Sequence, residues 1–126
     1  MNTFNIEPQH FENADASIEN DKDGLCLILS GDIDMRDTSI EFLPYLLKVH
    51  NTLVQNKIRK IRLNLVELTF MNSNGIKSMI NWIMKLTELP ENIQYRIHIS
   101  ANTDIAWQDS TLPVLRKLFP DFIIIE

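Results

Sequence analysis

Hydrophobic and polar residues alternate along this chain in two rhythms. In "KIRLNLVEL", Ile61, Leu63 and Leu65 interleave with Arg62 and Asn64, a period of two that predicts a strand with one buried face. "QYRIHIS" repeats the pattern, setting Tyr95, Ile97 and Ile99 against Arg96 and His98. The second rhythm is helical. Past Gly75, the residues Ile76, Met79, Ile80, Ile83 and Leu86 form a stripe at three- and four-residue spacing, and Pro90 ends it. An earlier helix is predicted over residues 44–56, with Pro44 in its first turn and Leu46, Leu47, Leu53 and Val54 on one face. "DSTLPVLRKLF" predicts a short third helix, capped by Asp109 or Ser110, with Pro113 in its first turn and Pro120 as its stop. "LCLILSG" and "DFIIIE" complete the strands, the first entered through a hairpin turn supplied by Asp23 and Gly24.

Strands alternating with helices after an initial hairpin predict an α/β fold: a mixed, mainly parallel sheet with crossover helices. Residues 1–15 are expected to form an amino-terminal arm or edge strand, and residues 16–126 one domain. In such sheets partners and ligands meet the loops at the carboxyl ends of the strands, which here are "SGDIDMRD" and "MNSNG". The second loop is a helix start. Asn72 or Ser73 can cap the free N–H groups, and Gly75 lets the backbone turn closely out of the strand. A phosphate on an exposed side chain there gains about 0.3–1 kcal/mol from the helix dipole, and Ser73 is the available hydroxyl.

A net charge of -5 disfavours phosphate backbones and anionic membranes, and the one basic stretch, "KIRKIR", reads as a solvated helix exit and strand entry. Cys26 is the single cysteine, so neither an internal disulfide nor a thiolate zinc site is available. The start shows no basic leader and no window reaches membrane-spanning length, so a cytoplasmic protein without membrane contact is expected. Asp32, Asp34 and Asp37 share a loop and read as an acidic rim near a partner surface. His10, His50 and His98 are too dispersed for a metal cluster, and no Ser or Cys has a base and an orienting acid in pattern. No catalytic residue, metal or cofactor is expected. Lys77, Ser78, Asn81, Trp82 and Lys85 are expected on the exposed side of the second helix; Trp82, one place beyond the apolar stripe, reads either as a half-exposed interface anchor or as a residue packed in the core.

"IRLNLVELTFMNSNGIKSMINWIMKL" resembles the strand, loop and helix signature of the STAS domain, found in anti-sigma-factor antagonists and sulfate transporter tails. That signature runs from an apolar strand through Asp-Ser-Ser-Gly or Asp-Ser-Thr-Gly into a helix. "SGDIDMRD" is similar to the family's Gly-Glu-Leu-Asp loop, with Asp34 in the place of its final Asp. The tail "DIAWQDSTLPVLRKLFPDFIIIE" narrows the resemblance to a STAS-like bacterial, chiefly cyanobacterial, regulator subfamily with an Asn-Ser-Ser-Gly loop and a Trp-Gln pair, matched by Trp107 and Gln108. The resemblance covers residues 25–126. It implies a non-enzymatic module that binds an anti-sigma factor of the serine-kinase type, releases it on phosphorylation, and so regulates transcription by partner switching.

The family's phosphorylated hydroxyl stands just before the glycine, where this chain has Asn74; Ser73 lies one place earlier, and the family's leading Asp is Asn72. Three outcomes follow. Asn74 locks the module in its unphosphorylated, partner-binding form; Ser73 takes the phosphate, its side chain turned by about 100° on the helix; or the domain docks without any phosphate cycle. The competing reading is a receiver-like or nucleotide- or metal-sensing domain on the same sheet class.

Overall fold

The strand with the longest apolar run, Gly24–Ile33 (β3), is paired along both edges and organises the sheet. The computed structural model describes residues 4–22 and 24–126; Asp23, expected in the hairpin turn, lies outside them. Gln9–Phe11 (β1) pairs antiparallel with Ala14–Asp21 (β2), and β2 pairs antiparallel with β3. On its other side β3 runs parallel to Lys60–Asn64 (β4), which is followed outward by Arg96–Ser100 (β6) and Ile123–Ile125 (β7). Phe42–Gln55 (α1), Ser73–Thr87 (α2) and Ala106–Leu118 (α3) provide the crossovers.

Each parallel crossover steps the same way along the sheet, so their common right-handedness puts the three helices on one face. The alternation seen in the sequence is what makes that face apolar: Leu25, Leu27 and Leu29 of β3, Ile61 and Leu63 of β4, and Ile97 and Ile99 of β6 are buried in a single core with α1 and α2. The opposite face carries Ser17, Ile28, Arg62, Asn64, His98 and Ser100, all partly exposed. There Arg62 bridges Glu126 at 2.9 Å and Asp21 at 3.6 Å. At the β1 edge, Phe11 packs edge-on against Phe42 and Tyr45, which ties the amino-terminal strand into the core.

Three elements differ from the sequence expectation. The helix expected from residue 44 begins at Phe42, with Pro44 still in its first turn. The third helix begins at Ala106, not at Asp109 or Ser110, so Pro113 sits in its interior and on its exposed side. Thirdly, Leu68–Met71 is a strand of its own (β5), which pairs parallel with the last residues of β3 after a step at residues 65–67. The step is held from both sides. Leu68 N donates to Leu65 O at 3.0 Å, and Gln108 Nε2 donates to both Leu65 O and Leu68 O, at 2.6 and 3.0 Å. Trp107 Nε1 adds a bond to Leu68 O at 2.8 Å, so the Trp-Gln pair pins α3 to the shifted strand.

Candidate functional site

Because β5 pairs with the end of β3, it delivers the "NSNG" turn directly beside the loop that leaves β3. Asn72 is the N-cap of α2, its Oδ1 accepting from Gly75 N at 2.8 Å. The other half of the same amide reaches across to that loop, where Nδ2 donates to Met35 O at 2.9 Å. Two residues further on, Asn74 Nδ2 donates to Arg36 O at 2.7 Å. Gly75 is buried, and a Cβ there would stand 2.7 Å from Met71 Cγ and 2.9 Å from Ile33 Cγ2, which explains why glycine ends the motif.

Below the two amides lies a pair of buried hydroxyls. Thr38 Oγ1 donates its one proton to Asn74 O at 2.8 Å, so the Ser78 hydroxyl must donate to Thr38 Oγ1 across 2.7 Å. Thr38 and Ser78 are 3% and 5% exposed. Four hydrogen bonds therefore fasten residues 35–38 to the first turns of α2, using two amides that donate through groups an acid does not possess.

The surface above this clamp is a shallow groove of about 520 Å³ between the β3–α1 loop and α2, lined by Arg36, Asp37, Ser39, Asn74, Lys77 and Asn81. It continues along α2 past Ile80, Met84 and Lys85. Asn81 and Lys85 are exposed on this surface, while Asn74 and Lys77 stand at the head of the groove; Ser73 is exposed at the start of α2 but does not line the groove. Met84 is 48% exposed.

One residue expected on this surface is not there. Trp82 is 0% exposed, and its indole donates to Tyr95 Oη at 2.7 Å, so it is a core residue and cannot anchor a partner. Ser78 lines the floor of the groove, nearly buried and bonded to Thr38. The three aspartates are brought near the loop but not together. Asp32 is bonded by the Thr69 hydroxyl, Asp34 accepts from Asn13 Nδ2 at 3.1 Å, and Asp37 accepts from Ser39. The Ser39 side chain and backbone hold the Asp37 carboxyl below its usual range. Among the described residues no group of three His, Cys, Asp or Glu side chains is placed to hold a metal ion. No described helix is long and apolar enough to cross a membrane.

Thr38 escaped the sequence reading altogether, as did the carbonyls of Met35 and Arg36. Their contacts span 36 to 38 residues and leave no periodic trace.

No protein-family model and no curated protein matches the sequence. Solved structures do. An anti-sigma factor antagonist from Mycobacterium paratuberculosis superposes with a TM-score of 0.60 at 19% identity, over 92% of this chain and 89% of that one. A DUF3478-family protein from Shewanella loihica, described as having a SpoIIAA-like fold, gives 0.59 at 12% identity, over 94% of this chain and 88% of that one. The chain has a SpoIIAA-like, STAS-type fold. At these identities the likeness is one of architecture.

Proposed function

We propose that the chain is a non-enzymatic protein-binding module of the anti-sigma-factor antagonist type, held permanently in its partner-binding form. The observation that carries this reading is the bond from Asn74 to Arg36 O. In the family the sequence resembles, that position carries the hydroxyl whose phosphorylation releases the partner. Here it carries an amide that takes no phosphate and also braces the adjoining loop. The docking surface comprises the "SGDIDMRD" and "MNSNG" loops, with Asp34 and Asp37 on the rim, and the outer side of α2 with Lys77, Asn81, Met84 and Lys85. The partner is an anti-sigma factor of the serine-kinase type, in the cytoplasm of a bacterium. A standard interface takes about 800 Å² from each side, within reach of two loops and one helix face. The likeness to a solved anti-sigma factor antagonist supports the choice of partner class.

The receiver-like alternative gains nothing from the site. At the strand end where a receiver needs an acid, Asn72 engages both halves of its amide, one in the cap and one on the Met35 carbonyl.

The test is titration calorimetry against the serine-kinase-type anti-sigma factors of the same genome, with and without ATP. One of them binds the wild-type chain equally in both conditions, and Asn74→Asp weakens it at least tenfold, about 1.4 kcal/mol. Binding that ATP abolishes, with phosphate found on Ser73, replaces the locked form with a shifted acceptor. Failure of every such partner to bind refutes the module's assignment.

A further inference from the structure

We propose that His50 is a proton-sensitive latch between α1 and α2: neutral, it completes a buried chain of hydrogen bonds tying both helices to the start of β6, and protonated, it breaks that chain. The latch is independent of the docking partner, since it lies in the core behind the groove.

Three side chains from three parts of the fold form the chain. Trp82 of α2 donates its indole N–H to Tyr95 Oη at 2.7 Å, and the same oxygen lies 2.7 Å from His50 Nδ1 of α1. An indole nitrogen only donates, so Oη accepts there. The tyrosine's own proton then needs an acceptor, and Nδ1 is the remaining partner. His50 is therefore neutral, with its proton on Nε2. Adding a proton at Nδ1 turns that nitrogen into a second donor to Oη, which already accepts from Trp82, and leaves the tyrosine's own proton without its acceptor, at a site where Tyr95 is 1% and Trp82 0% exposed. Buried donors without acceptors are costly, so the chain must open.

The surroundings reinforce the neutral form. Burial pulls the His50 pKa below its ordinary 6.5, and the Lys85 ammonium, on the α2 side, pushes it the same way. Tyr95, at the entry to β6, keeps its proton far into the alkaline range because it is buried. No ion pair among the described residues includes His50. Because the folded chain binds this proton less readily than the unfolded one, the latch contributes fully above pH 6.5 and its contribution falls as pH drops below that value. His50 lies two turns along α1 from Leu43, which stands in the groove, so acid loosening of the helix pair reaches the docking surface from behind.

The experiment follows the imidazole C–H and indole N–H resonances of the full chain by NMR from pH 8 to pH 5, with His50→Gln for assignment. Glutamine keeps a neutral acceptor for Tyr95 and does not titrate. The His50 midpoint falls below 6.5 and the Trp82 indole resonance moves with the same midpoint. In urea, the wild-type unfolding midpoint falls between pH 7.5 and 5.5, and His50→Gln removes most of that fall. A His50 midpoint at or above 6.5, a Trp82 resonance indifferent to it, or an undiminished acid loss in His50→Gln overturns the latch. The wild-type titration decides by itself should the variant fold poorly.

Discussion

The side-chain amide of Asn74 donates to the carbonyl oxygen of Arg36 at 2.7 Å, joining two loops that lie 38 residues apart in sequence. With the companion bond from Asn72 to Met35 it converts a pair of neighbouring loops into one surface. Asparagine suits this position because it donates to a carbonyl, whereas aspartate or phosphoserine presents only acceptors there. Asn74→Asp is expected to free the 35–39 loop more than Asn74→Ala, since the acid repels the carbonyl while alanine merely leaves it to water. Amide exchange across that loop measures the order, and the stability cost is about 1–2 kcal/mol for the acid. Equal exchange in the two variants refutes the clamp.

Gln108 is 1% exposed and serves three backbone groups: it donates to Leu65 O and Leu68 O and accepts from Asn102 N at 2.8 Å. Gln108→Leu leaves all three without that partner. The expected loss is about 3 kcal/mol in urea unfolding, with exchange protection lost first along β5. A loss below about 1 kcal/mol shows the step to be held by other contacts.

Gly31 adopts φ +85°, and a Cβ on it would stand 2.4 Å from Asn13 O. Backbone occupies the space, so no side-chain rotation relieves the contact. Gly31→Ala is expected to cost at least about 2 kcal/mol, from the left-handed conformation and the clash together. Thermal melting checks this, and a neutral result shows that the β1–β2 turn, which carries Asn13, gives way freely.

Tyr45 is buried beside Phe11, and desolvation raises its pKa from 10.0 to about 12. The folded chain thus holds this proton more firmly than the unfolded chain. Its contribution is complete below pH 10 and is lost as pH rises from 10 to about 12, on the order of 2–3 kcal/mol. Tyr45→Phe is expected to flatten that part of the alkaline stability curve. An unchanged curve in the variant places the alkaline transition elsewhere.

Trp82 and Met84 are two residues apart on α2 but belong to different surfaces. Trp82→Phe is expected to lower stability by about 1–3 kcal/mol through the lost Tyr95 bond and the cavity, while changing partner affinity little. Met84→Ala, at a half-exposed position, is expected to do the reverse. Parallel melting and binding series separate the two, and a Trp82→Phe that loses binding at full stability would return the indole to the interface.

The sheet class was legible because β4 and β6 each bury one face, and the period of two survives in the letters. Periodicity likewise found Met79, Ile83 and Leu86 on the buried side of α2 and narrowed its cap to Asn72 or Ser73, whereas Ile76 and Ile80 of the same stripe lie only partly buried at its edge. Trp82 stood between core and interface in the sequence because its partner, Tyr95, meets it across a helix end and a turn, where no periodicity connects them. The groove's own composition was half legible: Asn74, Lys77 and Asn81 stand on one helix, but Thr38 and the carbonyls of Met35 and Arg36 arrive from another crossover. The boundary between β4 and β5 was invisible because Leu65 and Leu68 are both apolar and the step between them is defined by hydrogen bonds from α3.

That three-residue offset is also a gauge block for evolution. Side chains on a strand change sides with every residue, so removing one residue between Leu65 and Leu68 would turn Leu68 and Met71 outward and swing the asparagines away from their carbonyls. The rest of the sheet would keep its order. Lineages that need a different grip can thus retune the mouth of this domain by editing a hinge-sized segment, without renegotiating the body that carries it.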